Sequence, residues 1–346
     1  MSRSLDPETT ASLQNDDLKT VYNDVVSALS HSPDELLEIE VLGKSHPLPP
    51  HCNVLVDANS MATTKAKLVQ AFMVARQIFF KYARDCPEEK EQDLRDASAV
   101  ILLLDPEHLT AANARKRMIQ KRRFGSKKQL EVLLQTEMRW LDGYLTSRLH
   151  RHTKSPTLWG HRRWLLEVWN EIGLKHDIHL SLKDVVLVAA ELHPRNYYAW
   201  SHMRWLVQVF HAAPTQQSLT SRTLSDHSDI TLVVKDWCLQ NPSDISGFSF
   251  LLFCLFNILP DGSLAQIRVC SSVCVEVLRF AVSFKWTHES VWVFLRTAAA
   301  SRCISRAVRA TFFQAIEGFS IQEHDQPVIQ AAKEWCIENQ QSSEIE

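Results

Sequence analysis

One stretch of the chain is dense in side chains that transfer protons, bind anions or present aromatic faces. Residues His193 to Trp205 run His-Pro-Arg-Asn-Tyr-Tyr-Ala-Trp-Ser-His-Met-Arg-Trp. Histidine titrates near neutral pH, and arginine donates a fork of hydrogen bonds that matches carboxylates and phosphates. Taken alone, the stretch would indicate an active site. Imperfect copies of it elsewhere in the chain lead to a different interpretation.

The nearest copy is Lys154 to Trp164, which shares the pattern Trp-x-His-x-Arg-Trp with the first stretch. The shared residues are Trp159, His161, Arg163 and Trp164 in one copy, and Trp200, His202, Arg204 and Trp205 in the other. Weaker copies have Phe248 at the first Trp position, Trp292 with Arg296 four residues later, and Ala112 in an eroded first copy. The copies recur every 41 to 48 residues. A period in this range predicts helical hairpins that bury their apolar faces against their neighbours.

The third copy shows how each hairpin is built. Apolar residues at helical spacing predict a first helix over Leu182 to Leu192, which His193-Pro194 ends. Asn196 is the predicted N-cap of the second helix. Trp200 and Arg204 share a face of that helix, so the Arg either lies on the indole or reaches an acidic group or carbonyl of the next hairpin. The recurring Trp, His and Arg positions are therefore interpreted as packing residues.

Composition predicts an all-α protein, an α-α superhelix (solenoid) of about five hairpin repeats. The chain has 346 residues but only 8 Gly, and 45% of its residues are hydrophobic. The predicted organisation is a disordered tail over residues 1–17, a repeat domain over 18–300, and C-terminal helices with a tail over 301–346. The N-terminal capping elements of the repeat domain are predicted as short helices over Val21 to Ser30 and Glu35 to Leu42, and a longer helix from Thr63 to Arg84.

Charge, cysteines and short motifs limit the chemistry. A net charge of −2 gives no general attraction to nucleic acid or membranes. The absence of a signal-like N-terminus and of a membrane-length apolar run predicts a cytoplasmic protein that is not integral to the membrane. The eight cysteines are expected to be reduced core residues, and a zinc site at Cys270 and Cys274 is the weaker alternative. No metal or cofactor is expected in this chain, and no catalytic motif is present.

A basic run between the first two copies, Arg115 to Lys128, leaves several interpretations open. It is either a solvated helix end, or a face that docks an acidic partner or a membrane surface, with a nuclear signal as a weaker option.

The repeats resemble the α subunits of protein prenyltransferases, and among them those of the type III geranylgeranyltransferase. The motifs that carry the resemblance are Lys-Ser-Pro-x-x-Trp-x-His-Arg-Arg-Trp from Lys154 and Pro-x-Asn-Tyr-x-Ala-Trp-Ser-His-x-x-Trp from Pro194. The resemblance implies that the chain is the non-catalytic α subunit of a heterodimer that transfers geranylgeranyl groups to a protein cysteine. It implies a β-subunit partner, shared with the Rab enzyme, that holds zinc. It also implies an isoprenoid diphosphate and a protein acceptor with a C-terminal cysteine.

The resemblance also implies roles for individual residues in the loops before the second helices. Lys154, five residues before Trp159, faces the leaving diphosphate in that family. Arg195, Tyr197 and Tyr198 occupy the corresponding loop of the third repeat and are expected to lie near substrate. Ser155, Pro156 and Thr157 depart from the family pattern, so peptide contacts from that loop are not expected.

A helical-repeat scaffold for protein-protein interaction, similar in logic to tetratricopeptide proteins, is the alternative. The missing aromatic at Ala112, the Phe at 248 and Pro156 favour it, whereas Lys154, Arg195 and Tyr197 favour the enzyme subunit.

Overall fold

The computed structural model of the protein describes residues 17–30, 36–43, 45–211, 221–318 and 326–339. Most of these residues are helical, as the composition predicts. The helices of the N-terminal half are α1 (Leu18–Ser30), α2 (Lys65–Tyr82), α3 (Glu91–Leu104), α4 (Leu109–Arg122), α5 (Lys127–Leu145), α6 (His150–Thr153), α7 (Pro156–Glu171), α8 (Ile178–Leu180) and α9 (Leu187–Leu192). The remaining helices are α10 (Tyr197–His211), α11 (Ser221–Gln240), α12 (Ile245–Asn257), α13 (Leu264–Ser283), α14 (Glu289–Ala300), α15 (Arg306–Glu317) and α16 (Gln326–Glu338).

A small sheet replaces one of the predicted capping helices. Strands β1 (Glu38–Leu42), β2 (Leu55–Asp57) and β3 (Ser60–Thr64) are arranged in the order β1-β3-β2, with β1 parallel and β2 antiparallel to β3. The prediction of a helix over Glu35 to Leu42 is therefore wrong. Ile39 alternates with exposed glutamates and is buried opposite Met61, and this two-residue period with β-branched side chains favours a strand.

The longer capping helix is confirmed. Helix α2 covers Lys65–Tyr82, close to the predicted range of Thr63 to Arg84. Thr64 is its N-cap, and its hydroxyl accepts a hydrogen bond from the Lys67 amide. The predicted disordered tail lies almost wholly outside the described residues, as does the end of the chain beyond residue 339.

The five aligned repeat positions each fall on the fourth residue of a helix. They are Ala112, Trp159, Trp200, Phe248 and Trp292, in α4, α7, α10, α12 and α14 respectively, and all five are buried. Four of these helices begin with a side-chain cap in which a residue accepts from the amide three residues later; the caps are His108, Ser155, Asn196 and Asp244. The alignment of the repeats predicted from the sequence therefore corresponds to the same position in each second helix.

A π-helical segment interrupts the first helix of the third hairpin. The sequence predicts one continuous helix over Leu182 to Leu192, whereas the structure has α8, a π-helix over Ser181–Val186 and then α9. The hydroxyl of Ser181 accepts a hydrogen bond of 2.9 Å from Arg162 Nη2. Ser181 is thereby tied to helix α7 of the preceding hairpin.

Two buried ion pairs connect α5 to the second helices on either side of it. Arg115 of α4 donates from Nε and Nη2 to the two Glu137 oxygens, both at 2.7 Å. Arg162 of α7 donates from Nε to Asp142 Oδ1, also at 2.7 Å. Both guanidinium groups are almost fully buried. Arg115 is thus not part of a solvated basic run, which corrects the simplest interpretation of that run.

The chain divides into two compact units, residues 1–199 and 200–346, with the boundary inside α10. The first unit contains the sheet and the hairpins up to the start of α10, and the second contains the hairpins of α11 to α14 and the two predicted C-terminal helices. No helix in the described part of the chain combines the length and apolar character needed to cross a membrane. The superhelical arrangement of the repeats and the cytoplasmic location stay predictions.

Candidate functional site

The recurring aromatic and histidine positions of the motif lie mainly in the core. Trp159, His161, Trp200, His202, Trp205 and Trp292 are buried, and Trp164 is half-buried. The indole nitrogens of Trp159 and Trp292 each donate a 2.8 Å hydrogen bond to the carbonyl six residues earlier, that of Thr153 and Trp286. The same side chain therefore fastens the preceding loop to its helix in two different repeats.

The arginines four residues after the Trp positions do not share one environment. Arg204 lies over the Phe253 ring, with Cζ 5.0 Å from the centroid, and Nη2 donates to the Ser249 carbonyl at 3.4 Å. Arg296 lies over the Trp335 ring at 4.8 Å. Arg204 thus reaches a carbonyl of the next hairpin, as one of the alternatives predicts. Arg296 instead lies on the ring of a tryptophan in α16, which neither alternative predicts.

Arg163 differs from these two arginines in its exposure. Its side chain is 50% exposed and forms an ion pair with Glu167 on its own helix, and the packing role stays a prediction. The buried arginine of this repeat is its neighbour Arg162. The sequence contained a signal for this, because Arg162 and Arg115 both stand three residues after an aligned Trp position.

The loops before α7 and α10 come together at one surface. Asn196 is fully buried, and its Nδ2 donates to the Thr153 carbonyl at 2.7 Å and to the Ala189 carbonyl at 3.2 Å. Its Oδ1 accepts from the Ala199 amide and so caps α10, as predicted. The Thr153 carbonyl thus accepts hydrogen bonds from Asn196 of the loop before α10 and from the Trp159 indole of α7. We call the adjoining residues the N-cap surface: His150, Lys154, His193, Arg195, Tyr197 and Tyr198.

Two tyrosines are the most prominent apolar groups of the N-cap surface. Tyr197 is 67% exposed and Tyr198 is 39% exposed. Their rings make an edge contact, with centroids 5.7 Å apart. Asn196, the residue before them, is buried and makes three hydrogen bonds, so the backbone that carries the pair is held in place. The pair is therefore a well-anchored aromatic group open to solvent.

The N-cap surface is also electropositive. His150 and His193 make an edge contact at 5.0 Å, and the pKa of His193 lies below its usual value because of burial and then the charges of Lys154 and His150. Among the described residues, no carboxylate lies within ion-pair distance of the half-buried Lys154. Arg195 is exposed and has a φ of +60°, a left-handed conformation that disfavours residues with a Cβ. Lys154 is therefore close enough to His193, at the start of the third loop, for its charge to affect that histidine.

A second cluster of titratable groups, around Glu137, is enclosed and structural. Burial raises the pKa of Glu137, but the charge of Arg115 and the hydrogen bonds it donates hold it below its usual value. His161 Nε2 lies 3.4 Å from Glu137 Oε1, and burial lowers the pKa of His161 to about 3. The same effect lowers the pKa of His152 to about 4, and its Nε2 lies 3.0 Å from the Leu102 carbonyl. Both histidines are neutral in the folded protein at pH 7.

The cysteines do not form a reactive centre within the described residues. Six of the eight are buried, and burial raises the pKa of the Cys274 thiol to about 12. Cys270 lies within hydrogen-bond distance of Cys303 and Cys274 lies near Cys336, but no three His, Cys, Asp or Glu side chains in the described ranges are arranged to hold a metal ion.

Comparison with known families points away from the prenyltransferases. The model of the ECM9 middle domain matches residues 136–260, which is well under half of the chain. The assignment to the prenyltransferase α subunits is therefore wrong: the matching family is a different one. No curated protein matches the chain. All six residues of the N-cap surface lie inside the matched range, whereas Trp292 and Arg296 lie outside it.

Proposed function

We propose that this chain is a non-catalytic helical-repeat protein that binds an acidic region of a partner protein through the N-cap surface. The observation that carries the proposal is the combination of an anchored, exposed tyrosine pair with positive charge in one place. Tyrosine and arginine, together with tryptophan, are enriched among the residues that contribute most to binding at protein interfaces. A partner with carboxylates facing Lys154 and Arg195 would complement this surface.

The way the surface is supported favours binding over a purely structural role. The bonds from Asn196 and Trp159 to the Thr153 carbonyl fix both loops before any partner arrives. A surface fixed in advance loses less conformational entropy on association. The left-handed backbone at Arg195 has an energetic cost, and strained residues of this kind cluster at functional positions.

The proposal predicts that partner binding depends on the tyrosine pair. The full-length chain and a Tyr197→Ala/Tyr198→Ala variant would be used to recover proteins from cells that express each of them, with quantitative mass spectrometry. Proteins recovered with the wild-type chain should be less abundant in the sample recovered with the variant. Loss of an interface tyrosine typically reduces the free energy of binding by about 2 kcal/mol, which raises Kd roughly thirtyfold.

The matched control is Arg163→Ala, which removes an exposed side chain of a neighbouring helix. It should leave the partners unchanged, because an exposed ion pair of this kind contributes little. Equal recovery by the wild type and the tyrosine variant would contradict the proposal.

A second candidate function is that of an accessory subunit of a protein geranylgeranyltransferase. It is supported by individual residues and not by membership of the prenyltransferase family. Lys154, half-buried and without a carboxylate in the described structure, favours an anionic ligand such as a leaving diphosphate, and Tyr197 offers an apolar face. The partner β subunit would hold the zinc ion and the isoprenoid, and it would activate the acceptor cysteine.

Co-expression with prenyltransferase β subunits tests this candidate. It predicts a stable heterodimer that transfers labelled geranylgeranyl groups to a protein cysteine. It also predicts that Lys154→Ala keeps the dimer but slows turnover about tenfold to a hundredfold, as expected for the loss of a charge-assisted hydrogen bond. A failure to form any heterodimer would exclude this candidate and leave the scaffold proposal standing.

A further inference from the structure

A cavity in the first unit, lined by none of the residues of the N-cap surface, has features of a small-molecule site. It lies between α1, β1, α3 and α5 and has a volume of about 270 Å³. Apolar side chains form much of its wall, among them Val26, Leu29, Leu37 and Ile39. The mouth is open to solvent because the first three of these residues are only half-buried. The cavity is thus accessible and largely apolar, as ligand sites usually are.

Three arginines and one carboxylate line the cavity, and Arg115 is already fully engaged. Its guanidinium binds Glu137 with two hydrogen bonds and also donates to the Arg95 carbonyl and the Ser98 hydroxyl. Both carboxylate oxygens of Glu137 thus accept hydrogen bonds from Arg115. Arg115 forms the floor of the cavity and is not available to a ligand.

The guanidinium of Arg95, unlike that of Arg115, has no partner among the described residues. The group is half-buried, and within the described part of the chain it makes neither an ion pair nor a hydrogen bond. Asp96, the carboxylate in the lining, accepts a hydrogen bond from Gln92 instead. Burial, offset in part by Glu137, lowers the pKa of Arg95, and the nearby charge of Arg115 lowers it further. A partly desolvated cation that makes no direct ion pair is costly, and an anion placed against it would stabilise it.

We propose that this cavity binds a small monocarboxylate with an apolar chain, with the carboxylate on Arg95 and the chain against the aliphatic wall. Guanidinium and carboxylate groups match in a planar, two-bond geometry. Asp96 disfavours a ligand with two negative charges. The volume equals that of about nine water molecules at roughly 30 Å³ each, which suits a chain of about eight carbons.

Calorimetric titration of the full-length protein with octanoate tests the proposal. Acetate and 1-octanol serve as comparators because each lacks one of the two recognised features. Octanoate should bind at least tenfold more tightly than either. Equal binding of octanoate and 1-octanol would show that the cavity does not recognise charge, and the proposal would be wrong.

Substitution of the arginine separates this site from general surface binding. Arg95→Gln should weaken octanoate binding about tenfold to a hundredfold and leave 1-octanol unaffected. The matched control is Arg76→Gln, an exposed arginine of α2 outside the cavity, which should have no effect. If Arg95→Gln binds octanoate as tightly as the wild type, the assignment of the carboxylate to Arg95 is overturned.

A second measurement on the otherwise unchanged protein covers the case in which Arg95→Gln does not fold. Trp140 lines the cavity, so 8-bromooctanoate should quench part of the tryptophan fluorescence in a saturable way. That component should be absent from a Trp140→Phe variant. Quenching that persists in this variant would place the ligand elsewhere and contradict the proposal.

Discussion

Lowering the pH from 7 to 5 is expected to reduce the free energy of unfolding by about 4 kcal/mol through His152 and His161. Burial lowers their pKa values to about 4 and about 3 in the folded protein, whereas the usual value near 6.5 applies in the unfolded chain. Below pH 6.5 the unfolded chain therefore binds protons that the folded protein excludes. Each histidine then contributes about 2 kcal/mol of lost stability by pH 5, and the loss continues until the folded-state pKa is reached.

Urea titrations of the full-length protein at several pH values would measure this effect. In a His161→Gln variant, the loss between pH 7 and pH 5 should shrink by about 2 kcal/mol. His288→Gln, which removes an exposed histidine, should follow the wild-type profile. A wild-type stability that stays constant between pH 7 and pH 5 would contradict the placement of these two histidines in the core.

Glu137→Gln is expected to destabilise the protein by about 3 kcal/mol, because it leaves the buried guanidinium of Arg115 without its counter-charge. The side chains of the pair are only 3% and 2% exposed, so water cannot replace the lost carboxylate. The substitution hardly changes the shape of the side chain. The expected loss is therefore an effect of charge and not of a new cavity. Chemical denaturation of the two proteins would measure the difference.

The matched control is Glu167→Gln, which removes the acid of another arginine-glutamate pair, but one that is about half exposed. It should change stability by no more than about 0.5 kcal/mol. The double variant Arg115→Met/Glu137→Leu should recover most of the loss, since it removes both buried charges. If Glu137→Gln lowered the free energy of unfolding no more than Glu167→Gln, the Arg115–Glu137 pair would not behave as a buried ion pair, and the prediction would be wrong.

The hairpin register could be predicted because it depends on local sequence. A large aromatic at the fourth residue of a helix recurs with the period of the chain, and the structure places Trp159, Phe248 and Trp292 accordingly. The strand at Glu38–Leu42 was missed because a five-residue segment carries little periodic signal. Its identity is fixed by pairing with Ser60–Thr64, residues that are distant in sequence.

The candidate site was only partly predictable for the same reason. Lys154, Arg195 and Tyr197 could be selected from their positions in the repeats, and Asn196 as a helix cap. The bond from Asn196 to Thr153, which joins two loops 43 residues apart, follows only from the packing of one hairpin on the next. Arg163 was preferred to Arg162 because it belongs to the shared Trp-x-His-x-Arg-Trp pattern, whereas the spacing that Arg162 shares with Arg115 was not used. That Arg162 meets Asp142 follows only from the packing of α7 on α5.

Amide hydrogen exchange, measured with and without a partner recovered by the wild-type chain, tests the proposed binding role most directly. The scaffold proposal predicts that partner binding slows exchange in residues 149–155 and 193–198 and leaves the exposed end of α4 unchanged. Protection elsewhere in the chain, with exchange in both of these loops unaltered, would contradict the assignment of the N-cap surface as the binding site.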